Sequence, residues 1–309
     1  MRAVIQHEFG GPEVLRLVEV DRPDPAPTEV QVRVRAAGIN PVDWKSREQE
    51  VFLGQPPYTL GWDVAGVVTD IGYGATGFAE GDEVLGMPWF PREAGAYAEY
   101  VTAPSRQFVR KPASISFEEA AGLPLAGLTA WQALVDVAEV RPGQRVLVQA
   151  AGGGVGHLAV QVAKALGAYV IGTASPGKHD FVRSLGADEV LDYAAEGAPA
   201  SVRDVDVLLG LVSSASDLAW LPALREGGVF IGVPGGVAGP VIGEAARLGA
   251  RATGMLVEPD QVGLRGLVEL VENGQLRVHV DQVFPLADVG KAHEIGERGR
   301  TTGKLVLRV

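Results

Sequence analysis

Val146-Leu-Val-Gln-Ala-Ala-Gly-Gly-Gly-Val-Gly156 is the stretch whose reading decides the fold. An apolar run enters a glycine cluster, and a helix-forming run, His157 to Gly167, follows it. A second apolar segment, Tyr169-Val-Ile-Gly-Thr173, comes next. Strand, tight turn, helix and strand in this order make a dinucleotide-binding unit. Gly153 has no Cβ, so backbone can come close to a pyrophosphate, and Gly156 lets the helix pack tightly on the sheet. The helix N-terminus offers free N–H groups and the positive end of its dipole. Ala151 stands at the first glycine position, so the motif reads A-x-G-x-x-G, with Gly154 and Val155 completing the turn. An ordinary βα turn without a ligand is the alternative.

On the N-terminal side the rhythm is that of strands. Arg2–Gln6, Val14–Val18, Glu29–Arg35, Val64–Ile71, Glu83–Gly86 and Ala96–Thr102 are short apolar or alternating runs between Gly and Pro turns, a barrel-like pattern. Near Ser116 the pattern changes. Ser116 caps a helix starting at Phe117, and Leu128–Val137 is a second helical run. Strand candidates at 145–149, 169–173, 190–192, 205–211, 228–233 and 251–257 then alternate with helices, which predicts a parallel sheet. After a helix over 261–273 come a strand over 278–284, a helix over 286–297 and a strand over 304–309.

The 309 residues suggest two domains, and 47% hydrophobic content suffices for a sizeable core. No apolar run reaches transmembrane length, and Met1-Arg-Ala-Val-Ile-Gln6 lacks a secretory pattern, so the expectation is a cytoplasmic protein. With no cysteine, thiolate metal ligands, thiol nucleophiles and disulfides are excluded. The net charge of −11 argues against nucleic acid and anionic membranes as partners.

Over nearly its full length the chain resembles the medium-chain dehydrogenase/reductase superfamily, in its zinc-free quinone oxidoreductase (zeta-crystallin-like) branch. The segments carrying the resemblance are Ala37–Asp43, Pro57–Val68, Gly95–Tyr100, Leu125–Trp131, the glycine turn, Leu185–Tyr193 and Gly303-Lys304. The resemblance implies an α/β chain with a GroES-like β-rich catalytic domain, 1–115 with 276–309, and a Rossmann NADPH-binding domain, 116–275. It also implies a homodimer, in which pairing covers the last Rossmann strand.

Zinc-dependent relatives hold the metal through a cysteine and a histidine. Asn40 and Trp62 stand at those positions, and the five histidines have no close metal spacing, so no metal is expected. Without a Lewis acid to stabilise an alkoxide, an electrophilic quinone or enone is a better substrate than an alcohol. The second Rossmann strand ends in Gly172-Thr-Ala-Ser-Pro-Gly-Lys178, with no carboxylate to repel a 2′-phosphate. Ser175 can donate a hydrogen bond and Lys178 a charge, so NADPH is expected over NADH. Lys178 also reads as an ordinary solvated lysine at a helix start. By resemblance, Tyr193 reaches the 2′-phosphate region and Thr129 lies near the nicotinamide. Val233 and Pro234, beyond a strand end, line the same half of the cofactor.

Direct hydride transfer from NADPH also needs a hydrogen-bond donor for the developing oxyanion and a source of a proton. Asn40 is the candidate donor; a turn asparagine before Pro41 is the alternative reading. Lys45, Tyr58 and solvent remain open as the proton source. Trp44 and Trp62 are either flat pocket walls for an aromatic or enone substrate or parts of the core. Residues 46–57 read as a loop at the pocket, and Asp63 as structural. The competing functions are an enoyl-thioester reductase and a non-catalytic NADPH-binding protein.

Overall fold

Val30, Val32 and Val34 are buried while Arg33 and Arg35 face solvent, the period of two that makes a strand with one apolar face. That strand is β3 (Glu29–Ile39), preceded by β1 (Arg2–Gln6) and β2 (Arg16–Glu19). The structure, a computed structural model, describes every residue except Ser213 and Pro234, and every side chain but those of residues 213–216 and 234. After β3 comes α1 (Pro41–Glu48), with Asn40 at its N-cap and Pro41 in its first turn. Five strands follow: β4 (Tyr58–Thr59), β5 (Asp63–Ile71), β6 (Glu83–Gly86), β7 (Tyr100–Pro104) and β8 (Phe108–Arg110). The predicted loop over 46–57 is therefore helical at its start. Arg47 explains why: buried in the last turn of α1, it donates to Gly10 O at 3.0 Å and pairs with Glu297 at 2.7 Å.

Ser116 caps α2 (Phe117–Ala121) as expected: its hydroxyl accepts the Glu119 N–H at 3.1 Å, and the Glu119 carboxylate accepts the Ser116 N–H at 2.8 Å. α3 (Pro124–Trp131) runs into a π-helical turn over Gln132–Val137. Then strands and helices alternate: β9 (Arg145–Val148), α4 (Gly156–Ala165), β10 (Tyr169–Ala174), α5 (His179–Ser184), β11 (Glu189–Asp192), β12 (Val205–Gly210), α6 (Ser214–Trp220), β13 (Leu224–Gly232), α7 (Gly239–Arg247) and β14 (Arg251–Gly254). The six strands form one all-parallel sheet in the order β11-β10-β9-β12-β13-β14. Counted from β9 this is 3-2-1-4-5-6, the doubly wound dinucleotide-binding order, with its switch point between β9 and β12. Leu147, Ile171, Leu208 and Phe230 lie in its core.

The chain ends with α8 (Gln261–Glu272), β15 (Val280–Pro285), α9 (Val289–Glu297) and β16 (Lys304–Arg308). β16 joins β3, completing a seven-stranded sheet in the order β15-β16-β3-β5-β6-β8, with β7 also on β3. β2, β1 and β4 form a separate small sheet. The two compact units are 1–128 with 258–272 and 278–309, and 129–257 with 273–277. The division thus falls later than the expected 115, and α8 goes with the first unit. Packing is the reason. The Leu125 N–H donates to Asp63 at 2.6 Å, Gly127 abuts Leu267, and Gln261 donates to Phe108 O at 2.8 Å. Conversely, Gln161 in α4 holds Arg277 by two bonds, of 2.9 and 3.0 Å.

Candidate active site

In the second unit the candidate cofactor residues, Thr129 in α3 apart, lie beyond the carboxyl ends of the strands β9, β10, β11 and β13. The turn after β9 places its left-handed residue at Ala150, φ 46°. A Cβ on Gly156 would lie 2.2 Å from Ala150 O, so only glycine lets α4 start so close to the strand. At Gly153 a Cβ would meet only Ala150 O, at 3.2 Å, so this residue is spared for what approaches from outside. The His157 ring braces the turn, with Nδ1 2.9 Å from Gly153 O. Among the described residues, the N–H groups of Gly154 and Val155 have no acceptor. Orphan N–H groups at a helix start fit an anion such as a pyrophosphate.

Ala151 donates its N–H to Thr173 O at 2.9 Å, tying the turn to β10. Ser175 opens a 3-10 turn over Pro176–Lys178, and the Lys178 alkyl chain lies over Gly152, 3.0 Å from where a Cβ would be. Register pairs Ala174 of β10 with Asp192 of β11, so Ser175 and Tyr193 leave adjacent strand ends. Tyr193 is 57% exposed. The Asp192 carboxylate turns back on its own chain, accepting the Ala194 N–H at 3.0 Å. Thr129 is buried in α3; Val233 follows β13 and donates its N–H to Gly210 O at 3.1 Å. Pro234 lies outside the described residues.

A different set of polar groups meets in the first unit. Antiparallel register pairs Leu305 of β16 with Ile39 of β3, and Gly38 of β3 with Asp63 of β5. The start of β16, the end of β3 and the start of β5 therefore coincide, which brings Lys304, Asn40 and Asp63 together. Gly38 makes room: a Cβ there would be 2.6 Å from an Asp63 oxygen and 2.3 Å from Ala121 O. Asn40 Nδ2 donates to Asp63 Oδ2 at 2.8 Å, and Asn40 Oδ1 accepts from Lys304 Nζ. Lys304 Nζ also donates to Ile39 O at 2.9 Å and lies 3.5 Å from Asp63 Oδ2. All three side chains are at most 2% exposed.

Burial works against both charges, pushing the Asp63 carboxyl up and the Lys304 ammonium down; each partner's charge counters the shift. Asp43 Oδ2 accepts the Asn40 N–H at 2.6 Å, closing the cap of α1. Burial pushes the Asp43 carboxyl up to about 7; the Asn40 N–H pulls it back, while the Asp63 charge adds to the rise. The Tyr97 hydroxyl faces Asp43 and lies 3.3 Å from His293 Nε2. Burial, then the Arg47 charge, hold His293 down to about 3, so it stays neutral.

The family models for the alcohol dehydrogenase GroES-like domain and for zinc-binding dehydrogenase match residues 26–113 and 185–307. The chain is 33% identical to a chloroplast envelope quinone oxidoreductase homolog of Arabidopsis thaliana, over 99% of this chain and 98% of that protein. It is also 33% identical to an NADPH-dependent alkenal/one oxidoreductase, chloroplastic, of the same plant, over 99% and 79%. The structure of Escherichia coli quinone oxidoreductase complexed with NADPH superposes with a TM-score of 0.91 at 31% identity, covering 100% of both chains. The chain belongs to the medium-chain dehydrogenase/reductase superfamily.

Within this superfamily it falls in the zinc-free quinone oxidoreductase branch, as the resemblance implied. Among the described residues, no three His, Cys, Asp or Glu side chains are grouped to hold a metal. Several residues read as a reductase pocket have other surroundings. Tyr58 is buried, its hydroxyl donating to Ser46 O at 2.7 Å and accepting from Gln6 at 3.2 Å. Burial, reinforced by Glu50 and Glu93, pushes the Tyr58 phenol up to about 12. A proton so held is a poor one to donate, which weighs against Tyr58 as the acid. Trp62 is fully buried, donating to Arg92 O at 2.7 Å and packing edge-on to Phe90, surroundings that match the core alternative. Trp44 is half-buried, against Gly296 and edge-on to His293, which makes it a packing residue between α1 and α9. Lys45 is exposed on α1, outside the Asn40 cluster. Lys304 is the residue that motif reading passed over. Its signal was present in Gly303-Lys304, a charge at the head of the apolar run Leu305-Val-Leu307.

Proposed function

We propose that this chain is a zinc-independent, NADPH-dependent reductase of quinones or activated alkenes. The observation that carries the cofactor reading is the A-x-G-x-x-G turn, with its orphan Gly154 and Val155 N–H groups and Lys178 laid over Gly152. NADPH bound there, by this turn with Ser175, Lys178 and Tyr193, supplies the hydride. Thr129, Val233 and Pro234 complete the proposed contacts at the nicotinamide half. The chain's own part is to position and to stabilise charge. Asn40 offers an amide N–H to the acceptor's carbonyl oxygen, and solvent replaces Tyr58 as the proposed proton source. The choice of acceptor follows the named relatives, which reduce quinones or alkenals and enones.

NADPH consumption, followed by its near-ultraviolet absorbance, tests the proposal against a benzoquinone, a naphthoquinone, an enone, an alkenal and a crotonyl thioester, with a chelator present and NADH as control. Chelator-resistant turnover of a quinone or enone, faster with NADPH, is the expected result. Turnover of the thioester alone would move the chain to the enoyl-thioester class, and tight NADPH binding without any turnover would make it a binding protein. A homodimer and a cytoplasmic location belong to the same proposal. The support for the first is the terminal strand β14, which pairs only with β13 among the described residues. The support for the second is the net charge of −11, suited to a soluble chain; cell fractionation checks it.

A further inference from the structure

Lys304 Nζ is surrounded by three oxygens, Ile39 O, Asn40 Oδ1 and Asp63 Oδ2. An ammonium has three hydrogens and no lone pair, so this environment matches its charged form. Asp63 in turn accepts from Asn40 Nδ2 and from the Leu125 N–H, besides facing Lys304. The two charges thus fix which way the Asn40 amide points. Flipping it by half a turn would set Oδ1 against the Asp63 carboxylate and the NH₂ group against the ammonium, replacing two attractions with two repulsions. In the observed orientation Nδ2 uses one of its two hydrogens on Asp63. The other has no acceptor among the described residues. A buried N–H without a partner is costly, so this one favours an incoming oxygen.

We infer that Lys304 and Asp63 are positioning residues for the reaction: they lock the orientation of the Asn40 amide so that its second N–H is held ready as a donor, and they polarise it. Lys304 pulls electron density toward Oδ1, which sharpens the remaining N–H as a donor to developing negative charge. The pair selects an acceptor whose reduction places negative charge on an oxygen, as with a quinone or an enone. An alcohol, which must give up its O–H proton as it loses hydride, meets an N–H of Asn40 there rather than a base. The inference rests on Asn40 meeting the acceptor oxygen.

A double-mutant cycle with the NADPH-loaded enzyme and a quinone separates the two ideas. Lys304→Met leaves Asp63 without its cation, so Lys304→Met/Asp63→Asn, which removes both charges, is measured beside it. N40A is expected to lower kcat about 100-fold, the effect of losing one oxyanion donor. The charge-removing variants are expected to lower kcat about 10-fold when Asn40 is present, as for one hydrogen bond to a charged group. In the N40A background they should cost less than about 2-fold, because nothing is left to position. NADPH affinity should not change in any of them, since none replaces a residue proposed to hold the cofactor. Equal losses in both backgrounds, or no loss in either, would overturn the positioning role and leave Asn40 in place. Full kcat in N40A would instead remove Asn40 itself.

Discussion

At position 151 the motif's glycine is an alanine, and the neighbouring strand accommodates it. A Cβ on Gly172 of β10 would sit 2.9 Å from the Ala151 methyl, so the missing Cβ has moved from the turn to the strand it touches. A second close approach occurs at the end of β12, where a Cβ on Gly210 would lie 2.6 Å from the Phe230 ring. Gly210 leaves space in which Asp217 of α6 puts Oδ1 3.4 Å from where a Cβ would stand. The carboxyl arrives from the next helix, raised to about 6 by burial with the Gln149 amide opposing. Asp43 carries a prediction at this scale. Its carboxyl holds its proton to about pH 7 in the folded chain, against an ordinary value of 3.8. The stability it contributes is therefore complete below about pH 4 and is lost as the pH rises through about 7. Relative to D43N, which keeps an oxygen for the Asn40 N–H, the native chain should lose melting temperature steadily from pH 4 to 7 and no further above. Neutral His293 acts in the opposite sense, losing stability as pH falls below 6.5, but it is common to both proteins and cancels. A melting-temperature difference that stays constant over this range would mean that Asp43 ionises alike in the folded and unfolded chains.

Elements were legible wherever period and capping agreed. β3, β6, α2 and α4 lie within a few residues of their predicted positions, because alternation, a Ser-x-x-Glu box and a glycine turn are local signals. α1 was not read although Asn40, Pro41 and Asp43 form a local start signal; its last turn was beyond local reading, because it depends on Arg47 reaching Glu297, 250 residues away in sequence. The turn after β10 gives the prediction at this scale. Ser175 starts it, its lysine folds back over the β9 turn, and Tyr193 exits from the next strand, so three segments converge where a 2′-phosphate is proposed. K178A should weaken NADPH binding about 10-fold while changing NADH binding little. Equal weakening of both would place Lys178 at the shared pyrophosphate instead, and no change would remove it from the site.

For the molecule as a whole, the strand order has a consequence for assembly. Among the described residues β14 ends the parallel sheet with one edge unpaired, and Leu256 and Ile242 nearby are 52% and 49% exposed. Edge pairing with a second copy would satisfy the strand and cover apolar surface. Sedimentation should therefore give about twice the chain mass of 32.4 kDa, and replacing a β14 residue by proline should shift it toward the monomer. A native chain that sediments at one chain mass excludes the pairing. The sequence by itself determined the glycine turn and the alternation of strands and helices, because these are written in local spacing that one segment of chain carries complete, and it carried the superfamily as a resemblance over segments spread from Ala37 to Lys304. Tertiary structure alone decided which polar groups surround Asn40. β16 comes from the far end of the chain, and only its register against β3 delivers Lys304 to the amide. The same packing removed Tyr58 and Trp62 from solvent. Their burial and their partners, Ser46 O and Arg92 O, are set by packing that no single segment specifies.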